Sequence, residues 1–219
     1  MVVPQAGGRA RRRRGASGRL AEARPLSRLQ TALAAAAAAL QGRRWALVGG
    51  LAVSARCEPR FTRDIDLAVG VGNDADAESL VHTWLGAGYR VVATVEQETL
   101  RRLATVRLAA PMEPAAGVVV DLLFASSGIE QEVAEAAEPL EVFPALAVPV
   151  ARVGHLIALK LLARADSRPQ DAADLHALLA VADSDEVGRA RESVRVIEAR
   201  GFHRGRSLES DLDALLTSR

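Results

Sequence analysis

The chain has 219 residues, 49% of them apolar but only 3% aromatic, which suits one domain with a core of Ala, Leu and Val. Its single cysteine, Cys57, excludes an internal disulfide and suits a reducing cytoplasm, where we expect the protein to be located. The longest apolar run, residues 33–40, is too short to span a membrane, so no membrane partner is expected.

Charge is unevenly distributed along the chain. Residues 1–28 contain eight Arg and one Glu, whereas the remainder has 20 basic and 26 acidic residues. Residues 1–24 lack apolar periodicity, so we expect a disordered basic arm. The arm could bind nucleic-acid phosphates; a solubilising tail or an upstream start codon are the alternatives.

The first half of the chain predicts alternating helices and strands. A helix runs from Ser27 to about residue 41, a buried strand covers 45–48, and a short helix follows at 51–56. A second strand covers 64–69, and Asn73 caps a helix that reaches residue 85. Residues 89–95, 104–108 and 118–124 then predict three strands.

The remaining pattern becomes helical. Residues 129–137 predict a helix, 140–143 a short strand, and everything from Arg152 onward helices with breaks near 166–169, 182–184 and 201–205. The predicted fold class is α+β: a small mixed sheet with helices over 25–150, followed by a helical C-terminal half over 151–219. Pro149 marks the boundary.

Two carboxylates carry the first functional signal. Asp64 and Asp66 stand at positions i and i+2 of a strand, so both leave the same face, about 7 Å apart at the backbone. Like charges this close repel unless a cation lies between them, and carboxylate oxygens suit Mg²⁺. A solvated strand face is the alternative interpretation of this pair.

A third carboxylate interrupts an apolar strand. Asp121 lies between Val120 and Leu122, where an unpaired charge is costly to bury. If this strand lies beside the one carrying Asp64 and Asp66, three carboxylates converge, the minimum set for two Mg²⁺ ions. Such ions would hold a triphosphate and activate an attacking hydroxyl.

A glycine pair stands 13 residues before Asp64. Gly49 and Gly50 lie between a predicted strand and helix, where glycine allows close backbone approach and the helix N-terminus offers N–H groups to a phosphate. The spacing predicts that an NTP phosphate binds there.

These motifs resemble a known superfamily. Gly49-Gly50, thirteen residues and then the sequence DIDL resemble the signature of the DNA polymerase β-like nucleotidyltransferases. The stretch WALVGGLAVSARCEPRFTRDIDLAV is more narrowly similar to the AbiEii-type nucleotidyltransferase toxins and related minimal nucleotidyltransferases. The later segment VPVARVGHLIALKLLARADSRPQDAADLHALL resembles their second half, so the resemblance covers residues 44–180.

The resemblance implies a role for each matching residue. Metal binding is implied for Asp64, Asp66 and Asp121, and catalytic roles for these three together with Lys160 and Asp171. Nucleotide binding is implied for Gly49, Gly50, Lys160 and Asp174, and we expect it for Thr62 and Arg168 as well. The residues just before Asp64, namely Arg60, Thr62 and Arg63, could contact phosphates or cap the strand. Lys160 is also the only lysine beside 27 arginines, which favours a chemical reason for it. For Asp171 and Asp174, the alternative role is favourable interaction with a helix N-terminus.

The chain also departs from the family pattern. Gly50 stands where many members have Ser, Val119 stands where a basic residue often precedes the third carboxylate, and Gln170 precedes Asp171 where a cation is usual. Arg168 is the nearest cation to Asp171 along the chain.

The expected function is Mg²⁺-dependent transfer of a nucleoside monophosphate from an NTP to an acceptor hydroxyl. The resemblance implies the toxin of a toxin–antitoxin pair that acts on tRNA or protein, with an antitoxin as a further partner. One alternative is an aminoglycoside-type enzyme that modifies a small molecule. Another is a non-catalytic relative that binds a nucleotide or partner, although such relatives usually lose one of the three carboxylates.

Overall fold

The computed structural model describes residues 27–97, 102–111, 117–165 and 169–217, and the predicted basic arm lies outside them. The strands are β1 (Trp45–Val48), β2 (Asp64–Val69), β3 (Arg90–Gln97), β4 (Arg102–Ala109), β5 (Val119–Leu123), β6 (Glu138–Phe143) and β7 (Leu146–Val150). The helices are α1 (Arg28–Ala39), α2 (Gly49–Arg56), α3 (Asp74–Gly86), α4 (Glu130–Glu135), α5 (Val153–Ala163), α6 (Pro169–Val181), α7 (Ser184–Ala199) and α8 (Leu208–Thr217).

The strands form one mixed sheet in the order β3-β4-β5-β2-β1-β7-β6. Two pairs are parallel, β2 with β5 and β1 with β7, and the other neighbours are antiparallel. The centre of the sheet therefore holds β5, β2 and β1, which contain both predicted carboxylate strands and the strand before the glycine pair. The α+β prediction is confirmed.

Local sequence explains the main elements around the centre. All four residues of β1 are buried, as its apolar run predicts, whereas β2 alternates at its start because Asp64 and Asp66 face away from buried Ile65 and Leu67. The Asn73 side chain accepts a hydrogen bond of 3.0 Å from the backbone N–H of Asp76, which caps α3 as predicted.

Strand β7 corrects the sequence prediction. Residues 146–150 form a hairpin with β6, in which Pro149 lies opposite Pro139, and Val150 pairs with Leu47 of β1. From the sequence, Pro149 marks the start of the helical region. Proline breaks the usual strand pattern but is tolerated where its missing N–H is not needed by the sheet.

The C-terminal helices pack around α5. Helix α5 is buried over most of its length and contacts α6, α7, α8 and also α2. These contacts bring one face of the helical region against the helix that begins at the glycine pair. The division of the chain at residue 150 stays a prediction. No helix among the described residues is both long and apolar enough to cross a membrane.

Candidate nucleotide and metal site

A cleft of about 470 Å³ lies where the centre of the sheet meets α2, α5 and α6. Most of the predicted site residues line it: Gly49, Gly50, Thr62, Asp64, Asp66, Asp121, Lys160 and Asp171. Asp174 lies next to the cleft but does not line it, and Arg168 is outside the described residues. The structure therefore brings together eight of the ten residues, drawn from both halves of the chain.

Parallel pairing of β2 and β5 places two of the carboxylates side by side. Asp66 and Asp121 are partners in the register of the two strands, and Asp64, two residues before Asp66, leaves β2 on the same face. Burial raises the pKa of Asp66 to about 6, and the negative charge of Asp121 adds to the effect. The neighbouring charge of Lys160 opposes it. A cation between Asp66 and Asp121 would reduce the electrostatic repulsion between the two carboxylates.

Gly49 allows Asp66 to approach the start of α2. Gly49 has φ +66°, a left-handed conformation, and a β-carbon there would lie 1.9 Å from Oδ2 of Asp66. Any side chain at position 49 would therefore displace this carboxylate. The sequence predicts close approach of a phosphate to this glycine, and that stays a prediction; the structure adds the close approach of the Asp66 carboxylate.

Gly50 leaves space for an arginine. The guanidinium of Arg60 fills the volume beside Gly50 and donates a hydrogen bond of 2.7 Å to Oδ2 of Asp174 on α6. The loop before β2 is thereby attached to the C-terminal helices. Arg60 had two equal interpretations from sequence, a phosphate contact or a strand cap, and neither included this ion pair.

Lys160 is held by two carboxylates at the wall of the cleft. Its Nζ lies 2.9 Å from Asp171 Oδ1 and 2.7 Å from Asp174 Oδ2. Burial alone would raise the pKa of Asp174, but the hydrogen bonds from Lys160, Arg60 and Gln170 outweigh it and lower that pKa. Two cations thus balance two buried carboxylates, and we name Arg60, Lys160, Asp171 and Asp174 the ion cluster.

Arg107 is the main residue that sequence reasoning missed. It lies opposite Asp121 in the antiparallel pairing of β4 and β5. Its Nε and one Nη donate hydrogen bonds of 2.9 and 2.7 Å to the two oxygens of Asp121. One feature of the sequence could have pointed to a cation on another strand. Val119 stands where family members often have a basic residue, so Asp121 lacks a basic neighbour on its own strand.

The loop after β5 forms another part of the wall. Buried Glu130 accepts hydrogen bonds from the backbone N–H groups and the hydroxyls of Ser126 and Ser127, at 2.7 to 2.9 Å, and one of 3.0 Å from the N–H of Gly128. One carboxylate therefore fixes the loop whose two serines line the cleft. The sequence did not reveal this role, because Glu130 looked like an ordinary acid in the first turn of a helix.

The chemistry of the acids fits a divalent cation, although their present arrangement is not a finished cation site. Asp64, Asp66 and Asp121 supply oxygen ligands, which Mg²⁺ prefers. Among the described residues, however, no group of three His, Cys, Asp or Glu side chains is arranged to hold a metal ion. Asp121 is turned toward Arg107, and each of its oxygens already accepts one hydrogen bond, so a metal ion would meet a guanidinium at this carboxylate.

A comparison with models of protein families agrees with the resemblance. The sequence profile of a family described as "Nucleotidyl transferase AbiEii toxin, Type IV TA system" matches residues 31–219. One similar solved structure is the solution structure of the antibiotic-resistance factor ANT(2'')-Ia, with 18% sequence identity and a TM-score of 0.42 over 88% of this chain and 96% of that one. No curated protein sequence matches the chain.

Proposed function

The chain belongs to the AbiEii nucleotidyl transferase toxin family of type IV toxin–antitoxin systems, and we propose that the described cleft performs Mg²⁺-dependent nucleotidyl transfer. In this reaction the oxygen of an acceptor hydroxyl attacks the α-phosphorus of an NTP. The bond between the α-phosphorus and the bridging oxygen breaks, pyrophosphate leaves, and the hydroxyl proton passes to a base in the cleft.

The observation that carries the proposal is the register of β2 and β5. It places Asp121 beside Asp66, on the face that Asp64 also shares, although these residues are far apart in sequence. We propose that the three carboxylates hold Mg²⁺ and that Asp121 helps to activate the acceptor. The metal would neutralise triphosphate charge and lower the pKa of the attacking hydroxyl.

The ion cluster supports a binding site for the triphosphate in the same cleft. Lys160 lines the cleft, and its position is fixed by Asp171 and Asp174, so little of its side-chain freedom remains to be lost when a phosphate binds. We propose that Lys160 contacts the triphosphate and that Asp171 positions it. Gly49, Gly50, Thr62 and Arg168 complete the proposed nucleotide contacts, and Asp174 contributes through Arg60 and Lys160.

We further propose that the protein is the toxin of its pair, acts in the cytoplasm on tRNA or a protein, and is opposed by an antitoxin. Its family supports the toxin role. The basic residues before residue 25 suit an RNA acceptor, because they would neutralise phosphates.

Labelling tests the proposal directly. Purified protein is incubated with Mg²⁺ and each [α-³²P]NTP, with total RNA, protein extract or an aminoglycoside as acceptor. We expect label in RNA or protein, none with Asp66→Asn, and normal labelling with Asp213→Asn, a matched change at an exposed carboxylate outside the cleft. If no acceptor is labelled by the unmutated protein, the transferase proposal is wrong; if only the aminoglycoside is labelled, the toxin role is wrong.

A further inference from the structure

Arg107 occupies the carboxylate that the proposed metal site needs. Two hydrogen bonds join its guanidinium to both oxygens of Asp121. Resting on the proposed function, we propose that Arg107 is a cation shared between Asp121 and the nucleotide phosphates. It competes with the metal ion for Asp121, and it moves to the phosphates when the nucleotide binds, so metal and nucleotide bind cooperatively.

The burial of the two side chains supports a mobile partner rather than a fixed one. The Asp121 side chain is only 9% exposed, whereas that of Arg107 is 45% exposed and lines the cleft. Asp121 is thus held in place by β5, and Arg107 has room to move on the cleft side. A nearly buried carboxylate that stays ionised is stabilised by a positive partner, and either a guanidinium or a metal ion can fill that role.

The chemistry of guanidinium suits the second position as well. Its planar fork binds phosphate in the same two-pronged way as carboxylate. Of its five N–H bonds, two are used on Asp121. A triphosphate in the cleft is therefore an alternative partner of the same kind for Arg107, whose side chain lines the cleft.

Charge balance determines which state is favoured. With no ligand, the charge of Arg107 neutralises that of Asp121. The hydrogen bonds to Asp121 stabilise the charged guanidinium and raise the pKa of Arg107. A metal ion alone must displace Arg107 and leave a guanidinium beside a divalent cation, which is unfavourable. When phosphates arrive with the metal, the released guanidinium regains an anionic partner. Each ligand therefore strengthens binding of the other, as linkage requires.

A purely structural role makes a different prediction. If Arg107 only orients Asp121 as a metal ligand, removing it weakens metal binding and has no separate effect on the phosphates. If Arg107 is a competitor, removing it strengthens binding of the metal alone and weakens binding of the phosphates. The two roles therefore differ in whether removal of Arg107 strengthens or weakens binding of the metal alone.

The experiment measures both ligands on the full-length protein. Binding of Mn²⁺ alone is followed by electron paramagnetic resonance, and binding of Mn²⁺-tripolyphosphate, the part common to all NTPs, by calorimetry. For Arg107→Gln we expect Mn²⁺ to bind on the order of tenfold more tightly, because the metal no longer has to break the charge-assisted hydrogen bonds between Arg107 and Asp121. We expect tripolyphosphate to bind at least about tenfold more weakly, because the guanidinium that would bind the phosphates is lost. Arg107→Lys keeps the positive charge but not the planar, two-pronged guanidinium. Its affinities for Mn²⁺ and for tripolyphosphate should therefore lie between those of the unmutated protein and Arg107→Gln.

A matched control lies on the same strand. Arg102→Gln removes the same charge from β4, at a residue that pairs with Asp74 outside the cleft, and should change neither affinity. Thermal unfolding confirms that each variant is folded. Equal or weaker Mn²⁺ binding by folded Arg107→Gln would overturn the inference.

Asp66→Asn separates this inference from the proposed function. If Asp66→Asn binds Mn²⁺ as well as the unmutated protein does, the metal site itself is misplaced. If Asp66→Asn loses Mn²⁺ but Arg107→Gln binds it as the unmutated protein does, the metal site stands and the competition is wrong.

Discussion

A β-carbon at position 50 would lie 2.6 Å from Nη2 of Arg60, so these two residues share one small volume. Gly50 is therefore needed to seat the arginine that holds Asp174. The contact is at the end of a flexible side chain, so a larger residue at position 50 would push Arg60 away rather than prevent folding.

Replacing Gly50 should therefore act through Arg60. Gly50→Ala and Arg60→Ala should each lower the free energy of unfolding, because each weakens the hydrogen bonds to buried Asp174. The double variant should be less destabilised than the sum of the two, by about 1 kcal/mol, since the clash vanishes once Arg60 is truncated. Denaturant unfolding of the four proteins measures this coupling.

Gly188→Ala is the control for that experiment. It is also a helical glycine, on α7, but no atom lies within 4 Å of its missing β-carbon. It should raise stability slightly, by up to about 1 kcal/mol, because alanine favours the helix. Strict additivity between Gly50→Ala and Arg60→Ala would show that the two side chains do not compete for the same space.

Removing the lysine of the ion cluster should unbalance its charges. Lys160→Met leaves Asp171 and Asp174 with Arg60 as the remaining cation of the cluster, so we expect a loss of about 3 kcal/mol or more in unfolding free energy. Adding Asp171→Asn should restore part of that stability, because one carboxylate then faces one cation. A second substitution that lowers stability further would contradict the charge-balance account. Chemical denaturation provides the measurement.

Asp66 should make the protein less stable as pH rises from about 4 to 6. Burial raises the pKa of Asp66 to about 6 from its ordinary value of 3.8, so the native state binds this proton more tightly than the unfolded chain does. Above pH 6 the folded protein carries the whole cost of holding the Asp66 carboxylate buried and ionised. At pH 7.5 without divalent metal, Asp66→Asn should therefore be more stable than the unmutated protein, by roughly 1 to 2 kcal/mol after allowance for solvent screening.

Magnesium provides the second arm of the Asp66 experiment. Adding Mg²⁺ at pH 7.5 should raise the melting temperature of the unmutated protein but not that of Asp66→Asn. Asp213→Asn, at an exposed ion pair with Arg191, should respond to Mg²⁺ as the unmutated protein does. An Asp66→Asn protein that is less stable than its parent at pH 7.5 would show that this carboxylate is not strained.

His155 should have the opposite pH dependence. This histidine is 5% exposed, and burial, aided by the charge of Arg189, lowers its pKa to about 4 from 6.5. The unfolded chain therefore binds the proton first, and the stability present above pH 6.5 is lost as pH falls toward 4. Between pH 7.5 and 4.5, His155→Gln should lose about 2.5 kcal/mol less than the unmutated protein.

Exposed His176 is the control for the acid experiment. His176→Gln makes the same substitution at a side chain exposed on α6, and it shows how much of any difference belongs to the substitution itself. Since Asp66 and His155 act in opposite directions over an overlapping pH range, only differences between variants separate them. Equal acid sensitivity of His155→Gln and its parent would contradict a buried neutral histidine.

Local patterns predicted most of the fold because each pattern reports burial on one face. The apolar run of β1 and the alternation at the start of β2 gave their strands directly. Strand β7 was missed because Pro149 breaks the alternation, and its pairing with β1 depends on a residue roughly a hundred positions away. Strand pairing between residues so far apart in the chain cannot be predicted from the pattern of neighbouring residues.

The candidate site shows the same limit. Asp64, Asp66, Asp121 and the glycine pair were recognisable because charged or small residues stand where apolar ones are expected. Arg107 and Arg60 are ordinary arginines in their own segments, and they acquire meaning only from what lies opposite them: Asp121 across the sheet and Asp174 on α6. The acids and Lys160 could be recognised from the sequence, whereas Arg107 and Arg60 could be recognised only from the tertiary structure.

The link between Arg60 and Asp174 also has a consequence for translation. The ribosome makes β2 and β5 early, so the carboxylates emerge while Lys160 and α6 are still to be synthesised. The cleft is complete only when α6 has been made and Asp174 can bind Arg60 in the loop before β2. A product cut short after β7 would carry the acids without their lysine, and we expect it to be harmless to the cell that makes it.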